Sequence, residues 1–445
     1  MAHAPDSERR FAGPIITAGL VVVAAVSCTW STAPASEMLA KAKANLTANA
    51  MAGHVRVLAD DSFEGREAGT RGGRAAAAYI VDQIEAFGFE PAGDIGTYFQ
   101  SFGSNLRNIL ALLPGSDPKV AHEYVIVGAH YDHVGYGNAR NSYGPYGRVH
   151  NGADDNASGV AAAIELMRSL QKLPETPRRS ILIGFWDGEE KGLLGSAHFV
   201  RVRPKPLADT TPVFCINLDM VGRLRNRRVE VFGARTSAGL RSLLVATNNS
   251  SGGEGLGGEP LSFAFDWDIA EDSDHYSFIS ARIPTVMLHT GLHDQYHRPS
   301  DDVELVNHEG IRDVAGLTLA LAVTMANAEV APVFRPESRA ESNATRRRFE
   351  SAVQTEGMPR GRWGIVSRED PCEPAAPIVV NVARDSPASK AGLERGDRIV
   401  TIDGETFANH AEAVAKLRSV ERSCTLLIDR NGITEIVALE ASSED

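Results

Sequence analysis

The stretch Tyr124-Val-Ile-Val-Gly-Ala-His130-Tyr-Asp132 decides how the larger part of this 445-residue chain folds. Its apolar run is typical of a buried strand, and the run ends in a histidine and an aspartate two residues apart. Ligands collect at the carboxyl ends of strands in open α/β sheets, so His130 is expected at a site. Alternation along an extended segment puts His130 and Asp132 on one side, where Asp132 can orient the imidazole.

Short β-rich runs and amphipathic helical segments alternate on both sides of this stretch. The β-rich runs cover residues 124–128, 180–186, 213–218, 229–232 and 285–288. The helical segments cover residues 75–87, 157–170, 237–247 and 309–325. Strands that alternate with helices predict an α/β fold with a mixed, mainly parallel central sheet and helices on both faces.

The chain is too long for one ordinary core, and its composition shifts suggest four parts. Residues 1–36 are an N-terminal segment, and residues 37–328 carry the alternating pattern. Residues 329–360 are rich in Pro, Arg, Glu and Ser and are predicted to be a partly helical linker. Residues 361–445 combine short strands and turns with one helical segment at 411–419, which predicts a small β-rich domain.

Two arginines, Arg9 and Arg10, precede an uncharged run from residue 11 to residue 27. This pattern is typical of an export signal, so the protein is expected to be periplasmic, envelope-anchored or secreted. Cleavage after Ala35, lipid attachment at Cys28 and an uncleaved membrane anchor all remain open.

The overall charge and the cysteines narrow the function classes. A formal net charge of −12 argues against a nucleic-acid partner, because phosphate binding needs a basic surface. If the N-terminal segment is removed, three of the four cysteines remain, an odd number that rules out a full disulfide framework. Cys215 lies inside an apolar run and is expected to be a buried core residue, whereas the pairing of Cys372 with Cys424 is left open.

Acidic and imidazole side chains follow four further segments. Each has an ordinary explanation alone, since acids at a helix N-terminus, for example, cap the helix. Together they form an ordered set that follows strands or lies in Gly-rich or turn-rich loops: His130, Asp155, Glu190, Asp219 and His297, with Glu189 beside Glu190. Nitrogen and carboxylate ligands without cysteine suit zinc or another divalent ion in an open catalytic site.

The segments that carry this set resemble the signature segments of co-catalytic di-zinc aminopeptidases, whose relatives include glutamate carboxypeptidase and glutaminyl cyclases. The resemblance covers residues 62–326, beginning with Ser62-Phe-Glu-Gly-Arg66. Its other segments are Ala129-His-Tyr-Asp132, Gly152-Ala-Asp-Asp-Asn-Ala-Ser-Gly159, Glu189-Glu190, Asn217-Leu-Asp-Met220 and Tyr296-His-Arg-Pro-Ser-Asp301.

The resemblance implies two zinc ions. His130 and Asp219 would bind one ion, Glu190 and His297 the other, and Asp155 would bridge them. The choice of Asp155 over its neighbour Asp154 follows from the alignment of motifs, and relatives imply a cis peptide after Asp155.

The resemblance also implies the reaction. Glu189 would be the general base for hydrolysis of a peptide bond, and Asp132 would orient His130. A substrate with a free N-terminus would make the protein an aminopeptidase. Tyr276, which follows Asp274-His275, is a candidate for the substrate pocket.

The C-terminal segments resemble the bacterial form of the PDZ domain. They are Arg362-Trp-Gly-Ile365, Asp385-Ser-Pro-Ala388, Ala391-Gly-Leu393, Gly396-Asp397 and residues 399–404. Such domains bind an extended peptide or protein segment by strand addition. The resemblance makes Trp363, Gly364 and Ile365 the candidate peptide-binding loop, although this loop departs from the common Gly-Leu-Gly-Phe form.

Two other functions compete with the aminopeptidase prediction. A glutaminyl cyclase-like acyltransferase has a similar fold but uses one zinc, so the presence of both His130 and Asp219 counts against it. A non-catalytic adaptor would use the PDZ-like domain alone, and an intact Glu189 with five intact ligands counts against that.

Overall fold

The computed structural model of the chain describes residues 39, 41–251, 259–351 and 361–441. The expected export signal, with its alternatives at Ala35 and Cys28, lies outside these ranges. Within them, none of the helices has the length and apolar character that a membrane crossing needs.

Nine strands form one twisted sheet in the described part of residues 41–327. They are β1 (Glu90–Pro91), β2 (Phe99–Phe102), β3 (Leu106–Leu113), β4 (Glu123–His130), β5 (Ser180–Trp186), β6 (Thr211–Leu218), β7 (Arg228–Phe232), β8 (Ser262–Asp266) and β9 (Thr285–His289). The order is β1-β3-β5-β4-β6-β9-β7-β8, and β2 pairs with β3. Strand β4 is parallel to β5 and β6, and β6 is parallel to β9. Antiparallel pairs lie outside this centre, which confirms the mixed sheet.

Helices cover both faces of this sheet, as the alternating pattern predicts. Their bounds are Ala48–Leu58, Arg71–Glu85, Gly159–Gln171, Leu194–Arg201, Leu240–Ser251, His275–Ser280 and His308–Asn327. Along β4, Val125 and Val127 join the larger core cluster, whereas Ile126 joins a second cluster with Phe199 and Phe278 from the short helices. Because both faces are buried, the central strands are apolar throughout.

The helix predicted from residue 157 begins later. Regular α-helix starts at Gly159, and Ala153–Ser158 form a π-helical segment that contains the cis peptide Asp155–Asn156. Asn156 Nδ2 donates a hydrogen bond to the carbonyl of Leu218 at the end of β6. The local pattern of small residues extends through both segments, so it does not show where the regular helix begins.

The C-terminal unit has its own sheet and core. Its strands are β10 (Ile365–Arg368), β11 (Ile378–Val382), β12 (Arg398–Ile402), β13 (Ser423–Arg430) and β14 (Ile433–Glu440), with helices Pro387–Lys390 and His410–Ser419. All neighbouring pairs are antiparallel, and the order follows the chain. Cys215, Cys372 and Cys424 are free and buried, so the pairing left open by the sequence does not occur.

Buried ion pairs join the two units. The guanidinium of Arg235, after β7, lies 2.8 Å from Asp370 and 2.7 Å from Glu341. Arg398 on β12 contacts the same Asp370 at 2.7 Å. Within the predicted linker, the structure has a 3-10 turn at Pro336–Ala340 and a helix at Asn343–Ser351. Arg368 on β10 donates a hydrogen bond to the carbonyl of Phe349 in this helix, and Glu341 pairs with Arg235, so the described part of the linker packs on both units.

Candidate metal centre

The candidate ligands lie where three neighbouring parallel strands end. His130 is the last residue of β4, Glu189 and Glu190 follow β5, and Asp219 directly follows β6. Because β5, β4 and β6 are adjacent and parallel, their carboxyl ends lie at one edge of the sheet. Residues far apart in sequence thus meet in one buried cluster.

One group of ligand atoms, which we call the His130 site, consists of His130, Asp155 and Asp219. His130 Nε2 lies 3.4 Å from Asp155 Oδ1 and 3.4 Å from Asp219 Oδ1. Two ligands of a tetrahedral zinc with bonds of about 2.0–2.1 Å lie roughly 3.3 Å apart. The three atoms are therefore spaced as ligands of one ion.

A second group of possible ligand atoms brings Asp155, Glu190 and His297 together with His133. We call Asp155, Glu190 and His297 the His297 site. His297 Nε2 lies 3.1 Å from Asp155 Oδ2 and 3.1 Å from Glu190 Oε2. Asp155 Oδ2 is buried without a hydrogen-bond partner despite this short distance. An oxygen in that position fits a role as a ligand that shares a cation with its neighbours.

Asp155, rather than Asp154, connects the two sites. Its two oxygens face His130 and His297 respectively. The carboxylate of Asp154 is instead used in packing, since it accepts hydrogen bonds from Gly222 N and from Ser158 Oγ, and contacts His293 at 3.1 Å. The structure thus places the two aspartates in different roles.

Asp132 contacts His130 differently from the prediction. The backbone carbonyl of Asp132, at 3.1 Å, faces His130 Nδ1, whereas the nearest carboxylate oxygen lies 3.9 Å away. Asp132 Oδ1 accepts a hydrogen bond from the backbone N–H of Glu189 at 3.0 Å. The Asp132 side chain therefore positions the predicted base, and its main chain orients the imidazole.

Excess negative charge characterises the cluster. Burial alone would lower the pKa of His297, but hydrogen bonds and charge from Asp155 and Glu190 raise this pKa to about 11. Burial would raise the pKa of Asp219, but His130 brings it down to about 2. Carboxylates outweigh burial at His130 as well and raise its pKa well above the usual value. Such a cluster attracts cations, and its nitrogen and oxygen donors fit zinc.

In the sequence Arg66 is distinguished only as part of a motif, but in the structure it connects several segments of the site by hydrogen bonds. Its guanidinium is buried and donates hydrogen bonds to four backbone carbonyls, those of Leu58, Tyr131, Asn151 and Gly152. Tyr131 directly follows His130, and Asn151 and Gly152 lie shortly before Asp155 in the chain. Arg66 thus holds together the two segments that carry the ligands His130 and Asp155.

Two further residues that contact ligands were missed. Ser273 Oγ donates to Asp219 Oδ2 at 2.6 Å and accepts a hydrogen bond from Asn217 Nδ2 at 2.8 Å. His133 Nδ1 lies 2.7 Å from Glu190 Oε1. The only sequence signal for His133 is its place three residues after His130. Ser273 has no sequence signal, because a single serine in a loop is common.

The candidate substrate residues lie in two regions. Tyr276 is half-buried in the helix His275–Ser280, which begins two residues after Ser273. In the C-terminal unit, Trp363 is 3% exposed and its Nε1 donates to Leu417 O, so its side chain belongs to the core. Gly364 has φ 73°, and Ile365 opens the edge strand β10.

A parallel-centred α/β sheet that brings two linked groups of candidate metal ligands to its strand ends has the arrangement that two-metal hydrolases use. A sequence model of peptidase family M28 matches residues 108–322, and a model of the PDZ domain matches residues 378–430. The chain therefore contains a peptidase family M28 domain followed by a PDZ domain.

Similar proteins agree with this assignment. The chain is 30% identical over 218 residues to aminopeptidase YwaD of Bacillus subtilis, covering 47% of this chain and 43% of that protein. It is 28% identical over 185 residues to leupeptin-inactivating enzyme 1 of Streptomyces exfoliatus, covering 41% and 36% respectively. This chain thus spans less than half the length of either relative.

A solved structure shows the same fold. The LapA aminopeptidase of Legionella pneumophila superimposes with a TM-score of 0.55 at 20% identity, over 66% of this chain and 75% of that one. At this identity the likeness concerns the fold, which is that of the zinc exopeptidases.

Proposed function

We propose that this protein is a zinc-dependent aminopeptidase that removes residues from the N-terminus of peptides. The observation that carries the proposal is the position of Asp155, whose two oxygens face His130 and His297 and so link the His130 site to the His297 site. Zinc ions held by these groups would polarise a substrate carbonyl and activate a water molecule for attack.

Glu189 is the proposed general base. Burial raises the pKa of Glu189 well above its usual value, and the carboxylates of Glu190 and Asp274 raise it further while His130 opposes them. A raised pKa makes the Glu189 carboxylate a stronger proton acceptor. Held through its backbone by Asp132, Glu189 accepts a proton from the attacking water and passes it to the leaving amine.

The preference for a free N-terminus rests on the aminopeptidases among the similar proteins. A panel of aminoacyl anilides, the same anilides with acetylated amines, and carboxypeptidase substrates tests it in the presence of zinc. We expect hydrolysis of the free aminoacyl compounds only. Equal cleavage of acetylated substrates would contradict an aminopeptidase.

The glutaminyl cyclase alternative makes different predictions. It requires one zinc per chain and the release of ammonia from an N-terminal glutamine. Zinc titration to saturation, combined with mass spectrometry of a Gln-initiated peptide, separates the two activities. Two zinc ions and no loss of ammonia support the aminopeptidase.

We further propose that the PDZ domain binds an extended peptide next to β10. Among the described residues β10 pairs only with β11, so its other edge is free for strand addition. The helix His410–Ser419 flanks this edge, with His410 Nε2 3.0 Å from Ser367 Oγ on β10. The Gly364-Ile365 loop lies at the start of the strand.

Gly364 offers a direct test of this groove. A Cβ at Gly364 would lie 2.3 Å from Ser386 Cβ, and its φ of 73° strains any other residue. Gly364→Ala should therefore abolish binding of a fluorescent peptide that was selected from a library with the wild-type protein. Fluorescence polarisation measures this binding, and aminopeptidase activity should persist. Gly53→Ala is the control, because a Cβ at Gly53 would meet open space and the backbone there is helical.

Export is proposed from the arginine-led apolar run alone. Fractionation of expressing cells and mass spectrometry of the mature N-terminus test it. A protein found only in the cytoplasm with residues 1–36 intact would contradict export.

A further inference from the structure

His133 is a fully buried histidine beside the His297 site. Its Nδ1 lies 2.7 Å from Glu190 Oε1 and 3.7 Å from Asp155 Oδ2. A Cβ at Gly152 would lie 2.5 Å from the ring of His133, so the glycine makes room for this ring. His133 is thus close enough to the site either to bind the metal or to hold one of the ligands.

The distances separate these two roles. Ligands of one tetrahedral zinc lie roughly 3.3 Å apart. The separation of His133 Nδ1 from Glu190 Oε1 is shorter than that and matches a charge-assisted hydrogen bond, whereas its separation from Asp155 Oδ2 is longer. His297, in contrast, lies 3.1 Å from both carboxylates.

The other ring nitrogen points to the same answer. Histidines that bind metal donate their remaining N–H to a partner in almost every case. His133 Nε2 is buried without a hydrogen-bond partner. If Nδ1 carries the proton, Nε2 is a bare acceptor, and no buried donor is left unpaired.

We infer that His133 is a positioning residue, which donates its Nδ1–H to Glu190 Oε1 and so leaves Oε2 for the ion in the His297 site. The inference rests on the proposed function, since it requires that zinc binds there. In this arrangement, the two oxygens of Glu190 have separate tasks, because Oε1 accepts from His133 and Oε2 faces His297. Loss of the His133 hydrogen bond frees the carboxylate to rotate away from the ion.

Three variants of the full chain test this role. His133→Ala removes the donor, and His133→Asn keeps an N–H at the δ position although an amide is a poor zinc ligand. The control is His54→Ala, which removes a buried histidine 3.0 Å from another carboxylate, Glu165, away from both sites. Zinc affinity of each site is measured by competition with a chelator, and the unfolding temperature is recorded alongside.

We expect His133→Ala to weaken the binding of one zinc ion by about 10- to 100-fold, as loss of a partner behind a ligand does. His133→Asn should recover most of that affinity. His54→Ala should lower the unfolding temperature but leave both zinc affinities unchanged, which distinguishes positioning from a general effect on stability.

Two outcomes overturn the inference in distinguishable ways. If the wild-type protein binds two ions and His133→Asn loses as much affinity as His133→Ala, then His133 acts as a ligand. If His133→Ala leaves both affinities unchanged, then His133 has no role at the site. If the wild-type protein binds fewer than two zinc ions, that result contradicts the proposed function and therefore also this inference.

Discussion

The hydroxyl of Ser273 lies 2.6 Å from Asp219 Oδ2, although the two residues are 54 positions apart. Asn217, on β6, donates to the same hydroxyl and so fixes its direction. Asp219 Oδ1 faces His130 at 3.4 Å. Ser273 thus restrains the Asp219 carboxylate so that its other oxygen stays in the His130 site.

Ser273→Ala should weaken zinc binding at the His130 site by about 10-fold, because an unrestrained Asp219 must be ordered when the ion binds. Competition with a chelator measures the change. Ser277→Ala is a matched control, since Ser277 Oγ contacts Ser196 at 2.8 Å and no predicted ligand. If both serine variants behave alike, Ser273 has no specific role at the metal.

Glu189→Gln should reduce kcat for an aminoacyl anilide by about 10²- to 10⁴-fold, because glutamine cannot accept the proton. Zinc content should remain at the wild-type value, since Glu189 belongs to neither group of ligands. Steady-state kinetics and metal analysis check the two statements. An active Glu189→Gln protein would assign the base to another residue.

The free energy of unfolding should decrease at acidic pH because of Asp370. Burial would raise the pKa of Asp370, but Arg235 and Arg398 outweigh it and hold this pKa far below its usual value. Because the pKa in the folded state lies below that in the unfolded state, the stabilisation is complete above the unfolded value of 3.8 and is lost as the pH falls below it.

Asp370→Asn should therefore lower the free energy of unfolding at pH 7 by on the order of 3 kcal/mol and reduce its acid dependence. Chemical unfolding at pH 7 and between pH 5 and pH 3 measures both effects. Glu394→Gln is the control in the same unit, because its side chain is 69% exposed. An unchanged pH profile would show that the interface does not depend on Asp370.

Arg66→Met should destabilise the protein and lower the affinity for both zinc ions. Each buried carbonyl that loses its hydrogen-bond donor lowers the free energy of unfolding by about 1–3 kcal/mol. The segments that Arg66 no longer connects carry His130 and Asp155. Arg71→Met is the control, since its exposed pair with Glu64 is worth less than about 1 kcal/mol. Calorimetry and zinc titration measure the two changes. Wild-type zinc affinity in a destabilised Arg66→Met protein would limit Arg66 to a structural role.

The predicted strands of the central sheet agree with the structure because each is an apolar run with clear ends. β5 has the predicted bounds, and β4 extends the prediction to His130. Strands β1 to β3, strand β8 and the helix Ala48–Leu58 were not predicted. Several of these, such as β1 with two residues, are short edge elements whose pairing depends on neighbours distant in sequence.

The sequence by itself determined which residues are available as ligands and that they follow strands, since both properties are local. The resemblance of motifs implied Asp155 as the bridge, but only the tertiary structure showed that Asp154 packs against Gly222. It also decided that the Asp132 side chain contacts the backbone of Glu189. It also brought Ser273 and Arg66 to the site. These contacts join residues dozens of positions apart, and the direction of a side chain there depends on the packing of the whole domain, which no local pattern records.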